Sequence, residues 1–195
     1  MKKYYAVREG KVPGIYETWA ECEEQVKGYS GAEFKSFQNR EDAKDYILRD
    51  NKEAISNCEA VAYTDGSFNI NNSHFSYGVV LFYNEEKITF SEDLNYPEMA
   101  SMRNVAGEIT GAVRAMQFCV KNNIKTLEIR YDYEGVEKWC TGVWKTNKPG
   151  TIRYKEYYDS IKELLSVTFT KVKGHSGNKY NDEADLLAKK ALGLA

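Results

Sequence analysis

Two aspartates follow apolar, strand-like runs closely enough to sit at strand ends: Asp65 in Tyr63-Thr64-Asp65-Gly66-Ser67, and Asp132 after Arg130-Tyr131. A third such run leads into Val172-Lys173-Gly174-His175. Ligands of an open α/β sheet collect beyond the strand ends, so Asp65 and Asp132 meet there if their strands are neighbours. A further acid, Glu108, lies in a helical stretch beside Ala106, Gly107 and Ala112, small residues that let a helix lie close to a sheet. Val105, Ile109, Ala112 and Met116 form the apolar stripe of that helix, which leaves Glu108 at the margin of the core. Carboxylates a few Å apart raise each other's pKa unless they share a cation. Hard oxygen ligands suit Mg²⁺ or Mn²⁺, and two such ions roughly 4 Å apart suit in-line phosphodiester cleavage. One ion would lower the pKa of an attacking water and the other would stabilise the leaving oxygen. A single aspartate is usually a solvated surface group, but an acid at the end of an apolar strand is harder to assign to that role.

Positioning these acids falls to a chain of 195 residues, the length of one full domain with a small appendage. Hydrophobic residues at 42% and charged residues at 29%, with only 3 Pro and 14 Gly, describe a globular chain without a long disordered arm. The longest apolar runs, such as Val79-Val80-Leu81-Phe82, are too short to cross a bilayer, and no export signal is visible after Met1-Lys2-Lys3-Tyr4. Cys22, Cys58, Cys119 and Cys140 form no C-x-x-C pair, so they read as reduced thiols of a cytoplasmic protein. A net charge of -2 argues against indiscriminate coating of nucleic acid and confines any such contact to a local patch. Nothing in the pattern demands a dimer, so a monomer is expected.

Residues 1–48 predict a small α+β domain: strands over 4–8 and 15–18, a helix over 19–27 carrying Trp19, Cys22 and Val26 on one face, a strand over 32–37, and a helix opened by Asn39. Residues 49–58 lapse into charged and polar residues and read as a linker. Residues 59–195 predict strands over 60–64, 76–83 and 86–94, a helix over 101–122, and a strand over 126–131. A short helix over 134–139, a helix ending near 165, a strand over 166–172 and a helix over 181–192 follow. Three strands followed by alternating helix and strand make a mixed sheet layered with helices, an α/β fold.

The succession Thr64-Asp65-Gly66-Ser67, Asn104 with Glu108, Asp132, then Lys173-Gly174-His175-Ser176-Gly177 with Asn181 and Asp185 resembles the type 1 ribonuclease H pattern, in its order, from about residue 58 onward. The resemblance implies a ribonuclease H-like fold, a mixed five-stranded sheet with helices on both faces. It also implies an endonuclease cutting the RNA strand of RNA/DNA hybrids and leaving 5′-phosphate and 3′-hydroxyl ends. It makes Asp65, Glu108, Asp132 and Asp185 the ligands of two Mg²⁺ ions, which Mn²⁺ could replace, and sets His175 on a loop that moves protons or releases product. It puts Gly66, Ser67, Asn71, Asn104 and Asn181 against the nucleic-acid backbone, where contacts to 2′-hydroxyls across a shallow minor groove select RNA without reading sequence. Asp182 and Glu183 lie close enough to Asp185 to compete for the fourth ligand position, although Asp185 matches the family spacing best. Tyr133 and Glu134 after Asp132 depart from the family's usual Ser, which leaves the local helix start open.

Trp144-Lys145-Thr146-Asn147-Lys148 resembles the family's shortened basic handle, with Trp144, Lys145 and Thr146 along the DNA strand; an ordinary basic loop anchored by a buried Trp accounts for it equally well. The first 48 residues are similar to the hybrid-binding domain that precedes some type 1 ribonucleases H. That resemblance implies that Tyr5 and Trp19 lie on DNA sugars and Lys35 on a phosphate, with Ser36 where some members carry a second Lys. Two rival readings remain: a non-catalytic hybrid-binding protein on the same scaffold, and a nuclease acting on duplex DNA.

Overall fold

The computed structural model describes residues 3–48, 56–174 and 178–195, with backbone alone at 45 and 48. They form two compact units, divided between residues 55 and 56.

In the first unit, β1 (Tyr4–Glu9) lies between β2 (Gly14–Tyr16) and β3 (Glu33–Phe37) in an antiparallel sheet, with α1 (Trp19–Val26) and α2 (Arg40–Leu48) packed on it. The strand expected over 15–18 stops at Tyr16 because Thr18 caps α1. Its hydroxyl accepts from Glu21 N at 3.3 Å, while Glu21 Oε2 accepts from Thr18 N at 3.0 Å, a reciprocal box that satisfies two orphan donors. Asn39 opens α2 as expected, its Oδ1 accepting from Asp42 N at 2.7 Å. The core of this unit is small: Ala6, Val7, Cys22 and Ala43 are its fully buried apolar residues among those described.

The second unit holds β4 (Ala60–Asn69), β5 (His74–Tyr83), β6 (Glu86–Leu94), α3 (Pro97–Ala100), α4 (Asn104–Lys121), β7 (Thr126–Tyr131), α5 (Gly135–Cys140), α6 (Pro149–Ile161), β8 (Ser166–Lys171) and α7 (Lys179–Ala191). Its five strands run β6-β5-β4-β7-β8, with β6, β5 and β4 paired antiparallel and β7 and β8 added in parallel beyond β4. The larger core fills the face covered by α4, α5 and α6 around Ala62, Leu81, Ile109, Met116 and Ile129. α7 covers β4 and β5 on the opposite face, burying Tyr180 and Ala184 against Val61, Tyr63 and Val80. This is the layered α/β arrangement that the order of elements implied.

Two departures from the sequence reading shape the site. β4 does not stop at Asp65 but runs on to Asn69, because its antiparallel ladder with β5 continues after its parallel pairing with β7 has ended at Tyr63 opposite Arg130. The helix expected over 101–122 is α4, which begins only at Asn104 and is preceded by a separate short helix, α3. Pro97 starts α3, and Arg103 adopts a left-handed φ of 53° that resets the chain before α4 begins at Asn104. α4 then lies on the sheet through glycine. A Cβ on Gly66 would stand 2.2 Å from Asn104 O and 2.4 Å from Glu108 N, and one on Gly107 would stand 1.9 Å from Ser76 O.

Candidate active site

Each acid reaches the site from a different layer. Strand alternation puts Asp65 on the same side of β4 as Val61 and Tyr63, the side that α7 covers. Asp132 follows the last residue of β7, Glu108 comes from α4 on the other face, and Asp185 comes from α7. They converge where β7 ends and β4 runs on. One carboxylate oxygen from each of Asp65, Glu108 and Asp132 lies within 4.8 Å of the others. Asp185 lines the same open cleft of about 450 Å³, together with Gly66, Ser67, Arg103, Asn104, Tyr133 and Lys189.

Glu108 is 2% exposed, so it stands inside the core and not at its margin. Burial, and after it the charges of Asp65 and Asp132, push its carboxyl well above the usual range. Asp65 is pushed up to about 6, again by burial first and Asp132 next. Glu108 Oε2 is buried without a hydrogen-bond partner. An orphaned carboxylate oxygen beside two more acids is costly in water-free surroundings, and the all-oxygen donor set fits a hard divalent cation.

The electrostatics give a first expected result. Asp65 is harder to ionise in the folded protein than in the unfolded chain, so its contribution to stability is fully present at about pH 4 and lost as pH rises through about 6. In a metal chelator, Asp65→Asn should match the parent near pH 4 and be more stable by about 2 kcal/mol at pH 7, allowing for screening at the open cleft. Urea unfolding across that range checks it, and a pH-independent difference would contradict it.

The neighbouring acids of α7 separate. Glu183 forms an ion pair with Lys87 of β6 at 2.8 Å, away from the cleft, and Asp185 stands on the cleft wall with Lys189 Nζ at 2.6 Å from its Oδ2. His175 lies outside the described residues, as do Ser176 and Gly177. The chain leading to them passes against the site, since a Cβ on Gly174 would stand 2.4 Å from Asp132 Oδ2.

Of the residues expected at the substrate backbone, Gly66, Ser67 and Asn104 line the cleft. Asn71 is exposed in the turn between β4 and β5. Asn181 is not on the cleft wall. It is buried one helical turn before Asp185, and its Oδ1 has no hydrogen-bond partner. Trp144 is half-buried, its ring 5.7 Å from that of Trp139 and 6.3 Å from that of Tyr133, with Lys138 Nζ 5.1 Å from its centroid. Lys145 lines a second hollow of about 350 Å³ with Ser101, Trp139, Asn147 and Lys148, and Tyr133 forms part of the wall of both. Thr146 lines neither hollow. Arg103, Trp139 and Lys189 escaped the sequence reading, and Tyr133 entered it only as a departure after Asp132; an aromatic five residues before Trp144 and a Lys four after Asp185 were the available signals.

In the first unit Tyr5 and Trp19 meet at 5.7 Å between ring centroids, and Trp19 meets Phe34 at 5.6 Å. Trp19 and Phe34 are 44% and 41% exposed, which makes this row a surface feature and not core packing. Lys35 does not join it. β3 pairs Ser36 with Tyr5 and Lys35 with Ala6, so the pleat sends Lys35 to the opposite side, where its Nζ lies 5.8 Å from the Phe37 ring centroid. Phe34 takes the place on the aromatic side, a residue the sequence reading passed over.

Residues 3–47 match the family described as Ribonuclease H1 N-terminal domain, and residues 57–193 match the family described as RNase H. A curated relative named Ribonuclease H from Clostridium botulinum (strain Hall) is 30% identical over 149 residues, covering 69% of this chain and 95% of that protein. One of the same name from Schizosaccharomyces pombe is 24% identical over 255 aligned residues, covering 97% of both chains. Among solved structures, RNase H1 from the archaeon Halobacterium salinarum NRC-1 superposes with a TM-score of 0.58 at 24% identity, covering 70% of this chain and 98% of that one, which shows a common fold.

Proposed function

The chain belongs to the ribonuclease H family, and from that premise we propose that it is an endonuclease hydrolysing the RNA strand of RNA/DNA hybrids, leaving 5′-phosphate and 3′-hydroxyl ends. The observation that carries the reading is the meeting of three carboxylates within 4.8 Å around a buried, unpartnered Glu108 oxygen on the wall of an open cleft.

Asp65, Glu108, Asp132 and Asp185 would hold two Mg²⁺ ions, for which Mn²⁺ can substitute. Bound there, the ions would activate the attacking water and neutralise the leaving oxygen. The chain's own groups fix the substrate. Asn104 at the start of α4, with Gly66 and Ser67 of β4, takes the RNA backbone, and Asn71 reaches it from the adjacent turn; contacts to 2′-hydroxyls restrict the cut strand to RNA. Asn181, buried on α7 one helical turn before Asp185, lies off the cleft wall. His175 carries the proton step or product release. The hollow beside Tyr133 and Trp139, with Lys145, Lys148 and Asn147, takes the DNA strand's phosphate, Trp144 braces that wall, and the neighbouring Thr146 adds a hydroxyl along the same strand. No described helix is long and apolar enough to cross a membrane. We take the protein to act as a cytoplasmic monomer.

The row of Tyr5, Trp19 and Phe34 grips the hybrid's DNA strand, and Lys35, which leaves the other side of the sheet, reaches a phosphate only by bending round the edge strand β3. Tethering raises the local concentration of hybrid, so this unit helps chiefly on long duplexes. Trp19→Ala should weaken hybrid affinity roughly tenfold while leaving turnover at saturation unchanged. Fluorescence anisotropy and steady-state kinetics check this, and unchanged affinity would contradict it.

The functional reading is tested by supplying Mg²⁺ with matched RNA/DNA, RNA/RNA and DNA/DNA duplexes and mapping product ends. Cleavage of the RNA strand of the hybrid alone is expected. Equal cutting of DNA/DNA would make the protein a DNA nuclease, and tight hybrid binding without cutting would make it a binding protein.

A further inference from the structure

Asp185 lines the cleft but stands outside the close trio of Asp65, Glu108 and Asp132. Its Oδ2 is engaged by Lys189, one helical turn further along α7, at 2.6 Å. Lys189 itself lines the cleft; the Asp185 side chain is 19% exposed and that of Lys189 41%, so the carboxylate is held on the cleft wall while the lysine remains partly in solvent. Arg103 is the other described cation on that wall, and among the described residues it makes no hydrogen bond or ion pair to the four acids.

We infer that Lys189 is a tethered counter-ion for Asp185: in the metal-free protein its ammonium occupies the carboxylate oxygen that a divalent cation would otherwise use, and metal loading exchanges one for the other. The inference rests on the reading of this cleft as a metal site. An ammonium and a metal ion on one oxygen repel each other strongly, so an ion that takes Oδ2 does so in competition with the Lys189 bond. Each helical pair that forms therefore lowers the fraction of protein ready to bind, and the apparent affinity falls by that fraction. Lys189 is a positioning residue in this account, acting on the metal through Asp185. An ordinary helical pair four residues apart would add to helix stability and leave metal affinity untouched.

Calorimetric titration of the full chain with Mn²⁺ alone, without nucleic acid, separates these cases. Lys189→Met should bind Mn²⁺ about tenfold more tightly than the parent, the equivalent of losing one charge-assisted hydrogen bond that competes with it. Lys189→Arg, which keeps the pair, should stay within about twofold of the parent, and Arg103→Met, which removes a cleft charge but no pair, should change affinity by less than about threefold. Equal affinity of Lys189→Met and parent would overturn the inference. So would an equal gain from Arg103→Met, since the effect would then belong to the general field of the cleft. If the parent binds no Mn²⁺, the metal-site reading itself falls, and this inference with it.

Discussion

Asp132→Asn should lower the turnover of hybrid cleavage by about a thousandfold or more while leaving hybrid binding within a few-fold of the parent. Removing one charged oxygen ligand weakens both the hold on the ions and the neutralisation of charge in the transition state, a loss of several kcal/mol, and each 1.4 kcal/mol is roughly tenfold in rate. Asp132 is the informative choice. It is half-buried at the end of β7, so the amide fits its space, and it raises the carboxyls of both Asp65 and Glu108 by its charge. The same substitution should therefore ease the metal-free fold even as it removes activity. A variant cutting at a tenth of the parent rate would show that the trio does not carry the chemistry.

Gly107→Ala should cost about 3 kcal/mol of stability, lower Tm by roughly 8 °C, and weaken metal binding with it. The added methyl would stand 1.9 Å from Ser76 O and 2.8 Å from Gly66 Cα, so it meets backbone on both sides and no rotamer relieves it. α4 must lift away from β4 and β5. Glu108 is the next residue, so the lift carries its carboxyl out of reach of Asp65 and Asp132. Thermal unfolding with and without Mn²⁺ reads both effects, and a parent-like Tm would mean that the sheet yields at no cost.

Much of this was legible in the sequence where pattern and geometry share a cause. The alternation in Thr126–Tyr131 marks a strand whose bounds the structure reproduces, and Asp132 stands directly after it because the apolar face ends there. Asp65 was found for a partly mistaken reason. Its polarity suggested a strand end, but β4 runs on to Asn69 because its ladder with β5 needs backbone partners and no apolar side chains. Glu108 looked marginal from its helical period, since the wheel does not show that β4 and α4 approach through two glycines and close over it. The break at Arg103 left no mark because nothing in an arginine announces a left-handed φ. In the first unit the order of aromatic blocks pointed to Tyr5 and Trp19, but choosing Phe34 over Lys35 needs the register between β1 and β3, which only pairing reveals.

Where divalent cations bind decides whether the four carboxylates form a metal site. Crystals of the Asp132→Asn variant with an RNA/DNA hybrid would disturb the ligand set, so the parent should be crystallised with hybrid in Ca²⁺ to hold back cleavage, then soaked in Mn²⁺ and measured by anomalous scattering. Two peaks roughly 4 Å apart, within bonding distance of Asp65, Glu108, Asp132 and Asp185 and beside one RNA phosphate, are expected. Peaks elsewhere on the molecule, with the four carboxylates left unliganded, would contradict it.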